Sequence, residues 1–320
     1  MTIQDSSTIA ENLSWFAMTA KADFDVSANG VVVYATDTTS ARLVIADRRG
    51  GERIVDEKGL FYHLAISPDG KQAAVSIFAG ESRRSDLWIY DLAHGIRDRF
   101  TTDAGAEVDP VWSPDGQTIV YSSAQEGLPR LARRGVSASA AQYLLPESGY
   151  QFGGSFSPDG ANIYYSQRDV RRRMHIYRVP LAAAARPQLV VGTDSNEEDP
   201  RVSPDGKWLA FESDLTGDFE VYILNLANRE RIPLTNGGCT MPRWRRDGRE
   251  LFCISSHAVL SVTPGTDANW HEATSTTLLP VKATVKGFDA TPDGQSFLLS
   301  EWTPGPTDHL IHVITGAIPQ

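Results

Sequence analysis

Two short acidic runs set the chemical question: AEVDP at residues 106–110 and NEEDP at residues 196–200. Each ends in Asp-Pro, and each brings two carboxylates together, Glu107 with Asp109 and Glu198 with Asp199. Such pairs attract a cation, an amine-bearing ligand or a basic peptide. The matching places elsewhere in the chain read LFYH (60–63), GYQF (149–152), GCTMP (238–242) and VKGFD (285–289). They add the aromatic and polar groups Tyr62, His63, Tyr150 and Gln151. A concave mouth of mixed aromatic and acidic character is a ligand-binding surface. The alternative is that these acids satisfy backbone amides at the junctions of a repeat, which the recurring Asp-Pro favours. A second feature is basic: Arg83 and Arg84 in one loop, Arg171, Arg172 and Arg173 in another, with Arg130, Arg133 and Arg134 nearby. Guanidinium groups in such numbers suit carboxylate or phosphate partners.

These residues are positioned by a repeat. The four-residue turn Ser-Pro-Asp-Gly begins at Ser67, Ser113, Ser157 and Ser203, with Thr-Pro-Asp-Gly at Thr291 and degenerate copies at Ser27 and Arg245. Successive starts lie 40 to 46 residues apart and average 44. In each, proline presets φ at the second position and glycine accepts φ > 0 at the fourth. The flanking runs are β-branched and aromatic, as in VDPVWSPDGQTIVYSS, so each turn closes a β-hairpin. A period of about 40–45 residues is that of a four-stranded propeller blade. Seven such units nearly fill the 320 residues.

The expected fold is therefore all-β: a seven-bladed β-propeller of four-stranded antiparallel blades, with six blades as the fallback. Residues 1–320 form one domain. The last unit lacks its outermost strand, and the run NLSWFAMTA (12–20) is expected to supply it, so that the N-terminus closes the ring. Closure removes exposed sheet edges. The turn acids Asp69, Asp115, Asp159, Asp205 and Asp293 are read as turn-formers, and Trp88, Trp112 and Trp244 as packing between blades. In a propeller the hairpin turns mark one face. The loops that carry the acids and arginines mark the other, around the channel mouth.

Composition narrows the function. A net charge of −10 lacks the basic footprint of a nucleic-acid binder. No apolar run reaches 18 residues, so no membrane insertion is expected. The start, MTIQDSSTIAENLSW, has neither a basic nor an apolar signal region, which reads as cytoplasmic as it stands and periplasmic if an export signal was removed. Cys239 and Cys253 match no metal or redox spacing and are read as small core residues rather than a disulfide. A monomer is expected. No organic cofactor is called for, although the channel acids are of a type to hold a divalent cation. Of the seven histidines, His63, His257 and His309 fall on the loop face at different radii. There is no glycine-rich phosphate loop and no His-Glu-x-x-His.

The combined pattern Pro-x-Trp-Ser-Pro-Asp-Gly, Ile-x-Tyr-Ser and DLWIYDL (86–92) resembles the TolB-like, WD-related propeller repeats of bacteria over about residues 22–316. MPRWRRDGRELFCISSHAVLSV (241–262) and GFDATPDGQSFLLSE (287–301) are similar to the sensor propellers attached to bacterial eukaryotic-type serine/threonine kinases. The resemblance implies a propeller that binds protein partners in the manner of TolB. Other relatives are polysaccharide lyases or gate serine peptidases. The sequence contains neither kinase motifs nor a Gly-x-Ser-x-Gly elbow, so those activities are not implied. The expected function is a non-catalytic recognition scaffold for a protein or small ligand at the channel mouth. Its rival is a carbohydrate lyase or hydrolase using the rim acids and His63.

Overall fold

The Ser-Pro-Asp-Gly turn shows how each hairpin is closed. Ser67 Oγ donates to Asp69 Oδ1 at 2.7 Å and accepts the Gln72 amide at 2.9 Å, while Asp69 Oδ1 accepts the Lys71 amide at 3.0 Å. The Gly70 amide returns to the Ser67 carbonyl, and Gly70 stands at φ 74°, where only glycine is unstrained. The same bonds recur at Ser113, Ser157 and Ser203. At Asp69, Asp115 and Asp159 the serine hydroxyl, then the amide two residues on, hold the carboxyl below its ordinary range. Each acid is thus consumed by its turn.

The computed structural model describes residues 15–16, 21–22, 24–26, 32–36, 40–79, 84–103, 105–125, 127–145, 149–182, 186–281, 284–303 and 310–314. It is a propeller of six blades, not seven. Blade I comprises strands Leu60–Ile66, Gln72–Phe78, Ser85–Asp91 and Arg97–Arg99. Blades II to V repeat this order, beginning with the innermost strands Glu107–Trp112, Gln151–Phe156, Glu197–Val202 and Thr240–Trp244. Blade VI takes its two inner strands, Thr284–Ala290 and Ser296–Thr303, from the C-terminal part of the chain. Its two outer strands, Ser40–Asp47 and Glu52–Asp56, come from the N-terminal part.

The correction has a physical origin. Ser40–Asp47 pairs with Ser296–Thr303 over eight residue pairs, the longest inter-terminal ladder available. The last unit's own third strand, Leu310–Ile314, makes five pairs with Val32–Thr36 instead. With Phe24–Val26 these form a separate three-stranded sheet, which takes up the first unit's hairpin. The ring is thus closed by two N-terminal strands. Of the 12–20 run, Trp15–Phe16 pairs with Lys21–Ala22, and its other residues lie outside the described residues.

Adjacent blades are held by contacts that repeat around the ring. The tryptophan preceding a turn donates its indole N–H to the neighbouring blade: Trp112 to Ala65 O and Trp244 to Arg201 O, both at 2.9 Å. Each turn proline lies against the glycine of an adjoining turn, Pro68 on Gly116, Pro114 on Gly160, Pro158 on Gly206, Pro204 on Gly248 and Pro292 on Gly70. The last of these contacts crosses the closure. At the same junction a Cβ on Gly287 would sit 2.0 Å from Tyr62 O, so glycine is required there. The apolar core fills the spaces between blades, with Tyr90, Tyr121, Tyr165, Phe211, Phe252 and Phe297 fully buried.

Cys239 and Cys253 form a disulfide, contrary to the core-filling reading. They lie 14 residues apart on either side of a hairpin turn, and the turn folds them to a Cα separation of 5.9 Å. Spacing rules for metal and redox pairs do not register a bridge across a hairpin.

Candidate functional site

All six innermost strands carry the same irregularity: a register shift about four residues before the turn. In blades II, IV and V the residue at that point takes a left-handed backbone, with φ 51° at Asp109, 48° at Asp199 and 56° at Met241, and proline follows each. Asp tolerates this conformation better than most residues, so the recurring Asp-Pro has a backbone cause. The bulge also re-aims the side chain. Four residues before the six turns stand His63, Asp109, Gly153, Asp199, Met241 and Gly287, and all six line one cavity of about 410 Å³. Every blade contributes to its wall, so it is the axial channel.

Charges in the channel are unevenly neutralised. Asp199 is gripped by Arg201 at 2.6 Å and Arg243 at 2.7 Å, and Arg243 Nε reaches Asp289 at 3.4 Å. Burial opposes the charge of Asp199, but the two guanidiniums outweigh it and hold the carboxyl below its ordinary range. His63 Nδ1 lies 3.1 Å from Asp109 Oδ1 without hydrogen-bond alignment. Burial, reinforced by Asp199, pushes the Asp109 carboxyl up. Glu198 is driven by burial, then by Asp109 and Asp199, up to about 7. Glu212, directly across the strand pair from Glu198, is raised well above the carboxylate range by burial and then by Asp199 and Glu198.

Of the eight residues expected at the mouth, His63, Asp109, Glu198 and Asp199 line the channel together. Tyr62 packs between Phe78 and Trp302, each with ring centroids 4.7 Å away. Tyr150 lies under Arg168, whose guanidinium carbon is 3.9 Å from the ring centre. Gln151 is buried and accepts the Leu131 amide through Oε1 at 3.2 Å. Glu107 is fully buried between blades, with Ser123 Oγ donating to Oε1 at 3.1 Å and Oε2 unpartnered. The equivalent Glu197 is satisfied by the Thr193 hydroxyl and by His175, whose Nδ1 is 3.0 Å away and whose Nε2 lies 3.3 Å from Asp169. Among the described residues, no group of three or more His, Cys, Asp or Glu side chains is arranged to hold a metal ion.

Arg171 and Arg172 are exposed on a loop of blade III, where Asp169 accepts the Arg171 and Arg173 amides at 2.8 Å. Arg173 pairs with Asp194 at 2.5 Å, and Arg171 approaches the same carboxylate at 4.0 Å. Arg84 is described, whereas Arg83 lies outside the described residues. Arg133 and Arg134 border a separate cavity of about 470 Å³ on the turn face.

Glu212, Arg201 and Arg243 also line the channel, outside the residues expected from the sequence. The signal for Glu212 was present: nine residues after the turn start, blades I, II, III and VI carry serine and blade IV carries glutamate. Ser122 accepts the Gly153 amide of the next blade at 3.2 Å. Glu212 takes the equivalent bond from the Met241 amide, and its carboxyl reaches the channel.

The isolated carboxyl of Glu107 yields a pH test. Burial first, then Asp103 and Asp86, push it from 4.5 up to about 7. The folded state therefore holds a proton that the unfolded state has released, and this group lowers stability as pH rises from about 4.5 to 7. A shift of that size corresponds to a cost of up to about 3 kcal/mol above pH 7. Glu107→Gln cannot ionise, so its stability relative to the wild type should rise between pH 5 and pH 8 in urea unfolding. Parallel pH profiles would show that Glu107 ionises freely in the fold.

A six-bladed ring with a charged axial cavity defines a class of propeller, and the comparisons place the chain within it. Residues 25–198 match the TolB beta propeller domain, and the chain belongs to that family. The TolB protein of Francisella tularensis is 29% identical over half of this chain and 37% of its own length. A tricorn protease homolog of Saccharolobus solfataricus is 24% identical over 51% of this chain and 15% of its own length. The chain thus matches well under half the length of these curated relatives. Among solved structures, a putative TolB from Agrobacterium tumefaciens superposes with a TM-score of 0.68 at 19% identity, covering 83% of this chain and 99% of that one. An oligogalacturonate lyase in complex with manganese gives 0.55 at 14% identity, covering 89% and 97%. At these identities the structural likeness concerns the fold. No described helix is long and apolar enough to cross a membrane.

Proposed function

We propose that this protein is a non-catalytic recognition scaffold that takes a protein partner or small ligand at the mouth of its axial channel. The observation that carries this reading is the ring of bulged positions. One backbone position, repeated six times, faces a single cavity with His63, Asp109, Asp199 and Met241 from four blades and with glycine from the other two. Such an arrangement fixes a constellation of charge and apolar surface without requiring any group to move. TolB-like propellers bind proteins, which supports the protein arm of the proposal. The Cys239–Cys253 bridge supports a periplasmic address, because disulfides persist in oxidising compartments.

The lyase reading is favoured by one observation: Glu198, held near neutrality, faces Glu212 in a cavity that also contains His63. Groups so tuned are suited to proton transfer. The two readings separate on incubation with oligogalacturonate and Mn²⁺, followed by ultraviolet absorbance of unsaturated product. The scaffold reading expects no product above the protein-free control. Product formation abolished by His63→Ala or Glu198→Gln would overturn it.

A further inference from the structure

Glu198 and Glu212 are direct cross-strand partners that share the channel face of blade IV. Like charges set opposite one another destabilise a sheet, and the nearby cations are engaged elsewhere. Arg201 and Arg243 are bound to Asp199 and Asp289, His63 faces Asp109, and Arg168, whose charge favours the Glu198 carboxylate, lies over the Tyr150 ring. Lys286 also lines the cavity, from blade VI, two blades round the ring from blade IV. A separate observation marks the same place. Ser166 of blade III lines the cavity, is 2% exposed, and its Oγ has no hydrogen-bond partner. Of the equivalent serines, Ser122 and Ser300 bond to the next blade, while Ser76 is likewise unpartnered but does not line the cavity.

We infer that this corner of the channel, formed by Glu198, Glu212 and Ser166, is a binding site for an alkylammonium group. The inference rests on the recognition reading and names the chemistry of its ligand. Two carboxyl groups and a hydroxyl offer three acceptors to the three N–H donors of an ammonium, whereas a guanidinium presents a flat fork. Phe152, Leu64, Met241 and Phe288 also line the cavity, giving an alkyl stem apolar surface to cover. A cavity of about 410 Å³ is far larger than one ammonium group, so the stem enters with its charge. The source is either a free amine or a lysine side chain on a partner.

The test is calorimetric titration of the full chain with n-pentylammonium, n-pentanol, Mn²⁺ and a short peptide containing one lysine. Binding of pentylammonium at least tenfold tighter than pentanol is expected, with Mn²⁺ giving no saturable heat. Glu212→Ser restores the residue found in four other blades, so it should fold, and it should weaken pentylammonium by at least tenfold. Glu198→Gln, close in shape, should do the same. Tighter binding of the peptide than of pentylammonium would assign the site to a partner's lysine, and the reverse to a free amine. Equal binding of amine and alcohol, saturable Mn²⁺ binding lost in Glu212→Ser, or unchanged affinity in both variants would overturn the assignment. Those results would leave the recognition reading standing. Turnover of oligogalacturonate would remove that reading independently.

Discussion

Arg243→Met should cost about 3–5 kcal/mol of stability, the range for breaking a buried ion pair from one side. Arg243 is 9% exposed and serves two carboxylates, Asp199 at 2.7 Å and Asp289 at 3.4 Å. Without it, Asp199 keeps only Arg201, and Asp289 keeps the Ile66 and Ala290 amides. Both carboxylates are mostly buried, with side chains 16% and 18% exposed, so neither recovers full solvation when the guanidinium is lost. The measurement is the urea midpoint at pH 7, with an unchanged slope showing that the same surface unfolds. Adding Asp199→Asn to Arg243→Met should recover part of the loss, because one stranded charge is removed. A midpoint within about 1 kcal/mol of the wild type would show that the channel pair is solvated like a surface salt bridge.

Loss of the Cys239–Cys253 bridge should be the other large effect. Its closed loop spans 14 residues, and the chain-entropy model gives about 3 kcal/mol for a loop of that size. Both sulfur-bearing residues are buried, so the double variant Cys239→Ala, Cys253→Ala also loses packing between blades IV and V. The thermal midpoint of the oxidised protein should exceed that of both the reduced protein and the double variant. Thiol titration of the unreduced, denatured chain should find no free cysteine. Two reactive thiols, with no change on adding reductant, would contradict the bridge and remove its support for an oxidising compartment.

Much of the architecture was legible because propeller repeats are local. The turn at Ser67 is closed by bonds spanning two to five residues, and the tryptophan before a turn meets its partner 43 or 47 residues away, about one repeat. Blade number was not legible, because it depends on how the two ends pair. Ser40–Asp47 and Leu310–Ile314 are both credible third strands for the same hairpin, and an eight-pair ladder prevails over a five-pair one. The site was half legible for a different reason. Simple alternation puts Glu107 and Asp109 on one face of a strand. The bulge inserts a residue after that alternation, so Asp109 turns to the channel while Glu107 is buried between blades. Glu212 could have been found by aligning the units and asking where a repeated serine is replaced. Arg201 stands two residues from Asp199 in the same strand, so its pairing is local; Arg243 could not have been found, since its role lies in contacts of blade V with blades IV and VI that no single unit contains.

The central claim is that recognition occurs on the loop face around the channel. Val170, fully exposed on a blade III loop beside the arginines, and Lys207, exposed at a turn on the opposite face, provide matched positions for a photoreactive amino acid. In the native host, irradiation should give adducts of defined mass from position 170 and none from position 207. Those adducts should weaken when Glu198→Gln is added. Adducts arising equally from both positions, or from position 207 alone, would contradict the account and place the working surface on the turn face.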